Sequence, residues 1–231
     1  MRSLTVRAQA DEQMDDPALD PAVYSAVLRD LARVNRWTLA ERPTLAFLDR
    51  AVGHLRAFRL LDVGFGQGDM LRIIAGWAER RGICAELVGV DLKAGSEAAA
   101  RANSPPGMRI DYRTGDYREL PGPFDCVISS LVAHHMTDAE LREFIRFMES
   151  HARKGWLIND LHRHRLSHAG YPILACLLGA HRMVREDGTL SIARSFRPAE
   201  WRTILDEAGL AKESARIVRR FPFRLCVERL F

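Results

Sequence analysis

The stretch DVGFGQGD (residues 62–69) lies between an apolar run, FRLLDV (58–63), and a helical segment, MLRIIAGWAERRG (70–82). Glycine has no Cβ, so such a loop turns sharply and brings its backbone N–H groups against a ligand at the start of the helix. A strand, a glycine loop and a helix form the repeating unit of parallel sheets that are covered by helices. We therefore predict an α/β fold with a ligand at this loop.

Further apolar runs continue this pattern along the chain, with intervening stretches of helical character. Short apolar runs that alternate with helices are typical of a parallel sheet buried on both faces. The pattern predicts a doubly wound, mostly parallel sheet of seven strands, a Rossmann-like fold. The remaining predicted strands are AELVGVD (85–91), MRIDYR (108–113), FDCVISS (124–130), GWLIND (155–160), SARIVRR (214–220) and FPFRLCVERL (221–230).

The sequence divides into three parts. Residues 1–19 are polar and are expected to be flexible, whereas residues 20–56 carry two amphipathic helical patterns that we expect to form a lid. Residues 57–231 form the main domain. An insertion at about 161–190 is too long for a bare connection, so we expect it to hold a helix and to contribute to a lid or pocket.

Composition excludes several classes of protein. The 34 basic and 30 acidic residues give a net charge of +4, which is too mild to imply a nucleic-acid partner. The first 20 residues have no apolar h-region, so we expect no secretory signal. The longest apolar run, YPILACLLGA (171–180), is about half of what a bilayer requires. Without a C-x-x-C pair, the cysteines are expected to be buried thiols of a cytoplasmic protein; they are Cys84, Cys126, Cys176 and Cys226.

The spacing of the loop glycines favours one class of ligand. Dinucleotide-binding loops have the spacing G-x-G-x-x-G, whereas this loop is G-x-G-x-G, with Asp62 two positions before the first glycine. In this respect the sequence resembles the class I S-adenosylmethionine-dependent methyltransferases. The resemblance implies that S-adenosylmethionine is the cofactor and that Asp91, at the end of the second strand, binds both ribose hydroxyls. The residues that match the family's first motif are Asp62, Gly64, Gly66 and Gly68.

The same resemblance extends to two further positions of the core. The turn TGDY (114–117) is similar to the family's adenine-binding turn, in which Asp116 accepts from the exocyclic amine. The predicted cofactor contacts also include Leu92, Tyr117 and Ser130. The overall pattern is similar to ubiquinone- and menaquinone-type small-molecule methyltransferases, and the strings SSLVAHHM, NDLHRH and SIARSF are similar to a branch with phenolic or quinone-like polyketide products.

Histidines follow two neighbouring strands of the predicted sheet. His134 and His135 come after the fourth strand and His162 after the fifth, so all three are expected at the carboxyl edge, where doubly wound sheets bind ligands. Histidine exchanges a proton near neutral pH and is therefore a candidate base for a phenolic acceptor. A second interpretation stays open for His134 and His135, namely that they orient backbone near the cofactor.

Polar residues at the end of the fifth strand are candidates for binding the substrate. Asn159 and Asp160 either orient the acceptor or hydrogen-bond the adjoining loop, and Arg163 either pairs with an acidic or phenolate group or is solvated. A metal site formed by Asp160, His162 and His164 is the less favoured interpretation, and we predict no metal.

The predicted activity is methyl transfer from S-adenosylmethionine to an oxygen, or less favourably a carbon, of a small aromatic molecule of phenolic, quinol or polyketide type. The apolar segment 171–180 and the N-terminal helices, with Tyr24, Trp37 and Phe47, are expected either to wall the acceptor site or to form helix core. Two alternatives remain: a nicotinamide-dependent oxidoreductase and a non-catalytic cofactor-binding protein. We expect a monomer or homodimer that binds no nucleic acid and spans no membrane.

Overall fold

One mixed sheet organises the chain in the computed structural model, which describes residues 4–16 and 18–231. Its strand order is β3-β2-β1-β4-β5-β7-β6, and the β5–β7 and β6–β7 pairings are antiparallel whereas the others are parallel. The predicted seven-stranded, mostly parallel sheet is confirmed. The strands are β1 (Ala57–Val63), β2 (Cys84–Asp91), β3 (Ile110–Thr114), β4 (Phe124–Ser130), β5 (Ala152–Leu161), β6 (Arg216–Arg220) and β7 (Arg224–Leu230).

Helices pack on both faces of this sheet. On one face Phe144 and Trp201 belong to an apolar core that contains Trp156 of β5. On the other face Phe47 and Trp77 pack with the side chains of β1. The helices are α1 (Pro21–Trp37), α2 (Arg42–Ala51), α3 (Asp69–Arg80), α4 (Ser96–Ala102), α5 (Asp138–His151), α6 (Arg165–Leu177), α7 (Arg182–Arg194) and α8 (Pro198–Glu207).

Local sequence signals set the ends of several helices. Thr137 and Glu140 form a capping box at the start of α5, in which each side chain accepts from the other residue's backbone N–H. This helix ends at His151, and β5 begins at the next residue, Ala152.

The segments around the sheet differ from the sequence predictions. Of the two helices expected to form a lid, α2 is part of the core, with Phe47 fully buried, and contributes Leu45 to the lining of the main cavity. In contrast, α1 borders that cavity with several side chains, among them Tyr24 and Leu31. The insertion holds two helices, α6 and α7. Cys126 and Cys226 are buried as predicted, whereas Cys84 and Cys176 are exposed. No helix among residues 4–16 and 18–231 is long and apolar enough to cross a bilayer.

Residues 4–16, which we expected to be flexible, pack against the domain. The Arg7 guanidinium donates to the backbone carbonyls of Arg194 (2.8 Å) and Met136 (3.0 Å) and pairs with Asp138 (2.8 Å). It also lies over the Phe196 ring, 3.7 Å from the ring centroid. Polar and cation–π contacts therefore hold a segment that has no apolar pattern of its own.

Candidate cofactor and acceptor site

A cavity of about 1430 Å³ lies at the carboxyl ends of β1, β2 and β4 and extends under α1, α6 and α7. Pockets for small ligands are about 300–1,000 Å³, so this cavity has room for a cofactor and a second molecule. It is lined by many of the predicted site residues: Asp62, Gly64, Gly66, Asp91, Leu92, Tyr117, Ser130, His134 and His135.

The three loop glycines serve different purposes. A Cβ on Gly64 would lie 2.4 Å from Val132 Cγ2, and a Cβ on Gly68 would lie 2.5 Å from the Tyr112 hydroxyl, so both positions require glycine for packing. Gly66 has a φ of +56°, and a Cβ there would meet no atom within 4 Å. Gly66 therefore exposes its backbone to the cavity without a side chain. Gly68 does not line the cavity and is needed only for the conformation of the loop.

Asp62 is a buried carboxylate that faces this loop. Among the described residues, no group hydrogen-bonds its Oδ1. Burial, with a smaller contribution from the negative charge of Asp91, raises the pKa of Asp62 to about 7. A buried carboxylate without a partner is stabilised by a cation, and the ammonium group of an amino-acid ligand provides one. Asp62 thus fits the amino-acid end of S-adenosylmethionine.

Asp91 closes the other side of the loop. Its Oδ2 accepts from the Gly66 N–H and its Oδ1 accepts from the Lys93 N–H, each at 2.8 Å. Each carboxylate oxygen can accept more than one hydrogen bond, so both remain able to accept from vicinal hydroxyls. This fits the predicted contact with a ribose.

The adenine-binding prediction is only partly matched by the geometry. Tyr117 and Ser130 line the cavity, and the Ser130 hydroxyl has no hydrogen-bond partner among the described residues. Asp116 does not line the cavity, because its carboxylate accepts from the Arg118 side chain and backbone N–H. The hydrogen bonds from Arg118 hold the pKa of Asp116 below its usual value. The contact between Asp116 and adenine therefore stays a prediction that this geometry does not support.

His134 is held by the buried carboxylate of Asp160. The His134 Nδ1–H donates to Asp160 Oδ1 (2.7 Å), and the backbone N–H of His134 donates to Oδ2 (2.8 Å). Although burial raises the pKa of Asp160, attraction to His134 and these hydrogen bonds outweigh it and hold the pKa below its usual value. Asp160 therefore orients His134 and does not itself reach the cavity.

Glu12, which the sequence did not indicate, completes this group. Its Oε1 lies 3.7 Å from His134 Nε2 and 3.9 Å from His135 Nε2, and it accepts from the Ser191 hydroxyl at 2.7 Å. Burial raises the pKa of Glu12 above its usual value, whereas burial and His134 lower that of His135 to about 3. No local pattern marks Glu12, because only the folding of residues 4–16 brings it to the histidines.

His162 lies in a different place from the other two histidines. It lines a second cavity of about 800 Å³, together with Arg197 and Arg219, and it does not line the main cavity. Burial and neighbouring positive charges lower the pKa of His162 to about 4. The role of His162 as a base for the acceptor stays a prediction, and its position at the second cavity gives that role no support.

Asn159 and Arg163, which we predicted to contact the substrate, are both hydrogen-bonded to other parts of the fold. The Asn159 amide donates to the Ala40 carbonyl (2.8 Å) and to Thr44 Oγ1 (3.2 Å), so it ties β5 to the start of α2. Arg163 is buried, pairs with Glu200 and donates to the Ser195 carbonyl at 2.8 Å. Both side chains donate their hydrogen bonds to other parts of the fold and lie outside the main cavity.

Comparison with known proteins agrees with this geometry. Residues 60–155 match the family described as methyltransferase domain, and no curated protein matches the chain. This part of the chain is therefore similar to a methyltransferase domain, and solved methyltransferases with the same fold were crystallised with SAM or SAH.

Solved methyltransferases share the fold over most of their length. One is the plantazolicin methyltransferase BpumL, in complex with a triazolic desmethylPZN analogue and SAH: identity is 16%, coverage is 86% of this chain and 74% of that chain, and the TM-score is 0.63. Another is magnesium protoporphyrin IX methyltransferase (ChlM) from Synechocystis PCC 6803 with bound SAM. Identity is 17%, coverage is 94% of this chain and 86% of that chain, and the TM-score is 0.50.

Proposed function

We propose that the protein transfers a methyl group from S-adenosylmethionine to an oxygen, and less favourably a carbon, of a small aromatic acceptor of phenolic, quinol or polyketide type. The observation that carries this proposal is one continuous cavity. It joins the glycine loop and Asp91 to the histidines and to an apolar wall.

The cofactor end of the cavity has the groups that S-adenosylmethionine requires. Asp62 offers a buried negative charge, Gly66 offers bare backbone, and Asp91 offers two carboxylate oxygens. When bound, this cofactor supplies a methyl group on a sulfonium sulfur, which is transferred by in-line displacement. The part of the protein in that step is to hold the acceptor atom near the methyl carbon and to exclude water.

The acceptor end has a largely apolar wall. Tyr24, Leu28 and Leu31 line the cavity from α1, and Tyr171 and Leu174 line it from α6. Such a wall favours an acceptor with a sizeable apolar or aromatic part. Of the aromatic residues predicted for this wall only Tyr24 borders the cavity, since Phe47 is in the core and Trp37 is largely exposed to solvent.

His134 and His135 border the same cavity as the apolar wall. They are the polar groups that we assign to the acceptor atom, which favours an acceptor that carries a hydroxyl group. This position supports oxygen as the methylated atom, because loss of the hydroxyl proton makes that oxygen nucleophilic.

Calorimetry and a transfer assay test the proposal in two stages. We expect SAH to bind and NADH not to bind, and Asp91→Ala to weaken SAH binding at least about tenfold because a charge-assisted pair of hydrogen bonds is lost. The control is Asp111→Asn, which changes an exposed carboxylate on β3 and should retain the wild-type affinity for SAH.

Labelled methyl transfer to a panel of phenols and quinols is the second stage. Transfer to at least one hydroxyl supports the proposal. NADH binding in place of SAH would contradict it, and SAH binding without transfer to any acceptor would favour a non-catalytic cofactor-binding protein.

A further inference from the structure

Two imidazole nitrogens and one carboxylate oxygen converge at the wall of the main cavity. The Nε2 atoms of His134 and His135 lie 3.7 and 3.9 Å from Glu12 Oε1, and the three ligand atoms lie within 4.8 Å of one another. We call Glu12, His134 and His135 the histidine–glutamate cluster. All three residues line the cavity that we assign to the acceptor.

Each histidine of the cluster has a carboxylate behind it. His134 Nδ1 lies 2.7 Å from Asp160 Oδ1, and His135 Nδ1 lies 3.6 Å from Asp15 Oδ2. In metal sites, a ligand histidine regularly directs its second ring nitrogen to a carboxylate, which fixes the tautomer and orients the ring. His134 has this arrangement through its hydrogen bond to Asp160, and Asp15 lies at longer range behind His135. Both Nε2 atoms lie within 4 Å of the same oxygen, Glu12 Oε1.

The hydrogen bond to Asp160 places the proton of neutral His134 on Nδ1, and the nearby negative charge of Asp15 favours the same tautomer of His135. Each ring then has a lone pair at Nε2. A neutral imidazole whose Nδ1–H faces a carboxylate has only an acceptor at Nε2. Two such acceptors then face a third acceptor, Glu12 Oε1. The Ser191 hydroxyl donates to that oxygen from the side, and the nearest described guanidinium nitrogen, Arg194 Nη1, is 3.9 Å away. Three converging acceptors are stabilised by a cation at their centre.

We propose that the histidine–glutamate cluster binds one divalent transition-metal ion, of which Zn²⁺ is the best match. Two histidines, one carboxylate and an open position make up a common catalytic zinc site, and bonds of 2.0–2.1 Å in tetrahedral geometry place ligand atoms about 3.4 Å apart. The two distances to Glu12 therefore need to shorten by only about 0.3 to 0.5 Å.

This inference rests on the proposed function and deepens it. A metal ion at the cluster has its open position toward the cavity, where it can take the hydroxyl oxygen of the acceptor and lower the pKa of that hydroxyl. The hydroxyl proton leaves to solvent. The oxygen then forms its bond to the methyl carbon as the carbon–sulfur bond breaks, and the sulfur keeps the electron pair and leaves as the neutral thioether of SAH.

Metal binding to the full chain is measured directly, without an activity assay. The protein is freed of metal with EDTA and dialysed, and Zn²⁺ is titrated by calorimetry. Co²⁺ is titrated in parallel, because its visible absorption reports coordination by the protein. We expect one ion per chain. Glu12→Gln and His135→Ala should each weaken binding at least about 100-fold, since each removes one of three ligands.

Matched controls separate the cluster from other histidines and glutamates. His54→Ala and Glu79→Gln change exposed side chains of the same types outside the cluster, so both should bind Zn²⁺ within about twofold of wild type. Asp15→Asn changes a carboxylate behind a ligand and should weaken binding about tenfold. If Glu12→Gln or His135→Ala fails to fold, Asp15→Asn still tests the site.

SAH binding is measured on the same samples. Zn²⁺ binding with the expected variant effects supports the inference whether or not SAH binds. No site for Zn²⁺ or Co²⁺ in the wild type, or equal affinity in wild type and Glu12→Gln, overturns it. If SAH binds and no metal does, the inference fails and the proposed function stands; if metal binds and SAH does not, the proposed function fails alone.

Discussion

Cofactor affinity should rise with pH, because Asp62 must lose its proton to pair with a cationic ligand. The pKa of Asp62 is about 7 as a result of burial and the nearby charge of Asp91. The ionised fraction of such a carboxyl is about 0.1 at pH 6 and about 0.9 at pH 8. If only the ionised form binds the ammonium group of SAH, the affinity rises about tenfold between these pH values.

Calorimetric titration of SAH at pH 6, 7 and 8 measures this effect. Asp62→Asn keeps the shape of the side chain without its charge, so its SAH affinity should be low and nearly independent of pH. Asp206→Asn changes an exposed carboxylate on α8 and should keep the wild-type pH dependence. A wild-type affinity that is the same at pH 6 and pH 8 would refute the assigned role of Asp62.

The raised pKa of Asp62 also predicts how the stability of the ligand-free protein depends on pH. The folded pKa of about 7 is higher than the usual carboxyl value of 3.8, so the folded state binds the proton more tightly than the unfolded state does. The stabilising contribution is therefore present below about pH 4 and is lost as the pH rises to about 7; three pKa units correspond to roughly 4 kcal/mol. Asp62→Asn should be more stable than wild type at pH 8 in urea denaturation, and a less stable variant would contradict this.

Three further substitutions separate binding from folding. Gly66→Ala adds a Cβ in the open space of the cavity and should weaken SAH binding at least about tenfold. Gly82→Ala is the control, because Gly82 also has a positive φ and a Cβ there would meet no atom. It should have the same backbone strain of about 1–2 kcal/mol and unchanged SAH affinity. Asn159→Ala should lower the free energy of unfolding by about 1–3 kcal/mol and leave SAH affinity unchanged. His162→Ala should keep turnover within about twofold of wild type in the methyl-transfer assay, because this side chain does not border the main cavity.

Each of these predictions has a specific contrary result. Equal SAH affinity in Gly66→Ala and Gly82→Ala would mean that the cofactor does not approach the backbone of the loop. Loss of SAH binding in a stable Asn159→Ala protein would restore a binding role to that residue. A large loss of turnover in His162→Ala, with SAH affinity intact, would restore it as a candidate base.

Local patterns predicted the sheet, and they predicted which residues lie at the part of the cavity that we assign to the cofactor, because both are determined by short stretches of sequence. The positions of the strands follow from apolar runs, and the loop follows from glycines whose lack of a Cβ is required by Val132 and Tyr112. Asp62 and Asp91 were also found by position, since each lies at the carboxyl end of a parallel strand.

For other residues, position at the end of a strand was not sufficient to predict whether the side chain borders the main cavity. Successive side chains of a strand point to opposite faces, and the chain turns where the strand ends, so neighbours there reach different surroundings. Asp160 backs His134, whereas His162 faces a second cavity and Arg163 pairs with Glu200. The sequence contains the candidate residues, but the direction of each side chain depends on contacts with distant segments.

The two ends of the cavity therefore depend on different parts of the fold. The cofactor end is formed by loops between neighbouring strands, which the ladder of the sheet holds in place. The acceptor end depends on residues 4–16, whose Arg7 anchors them to carbonyls of α7 and of the turn before α5, and whose Glu12 completes the histidine–glutamate cluster. Since these contacts are separate from the glycine loop, changes in this segment can alter the acceptor without disturbing the cofactor, which is how one fold serves acceptors of different chemistry.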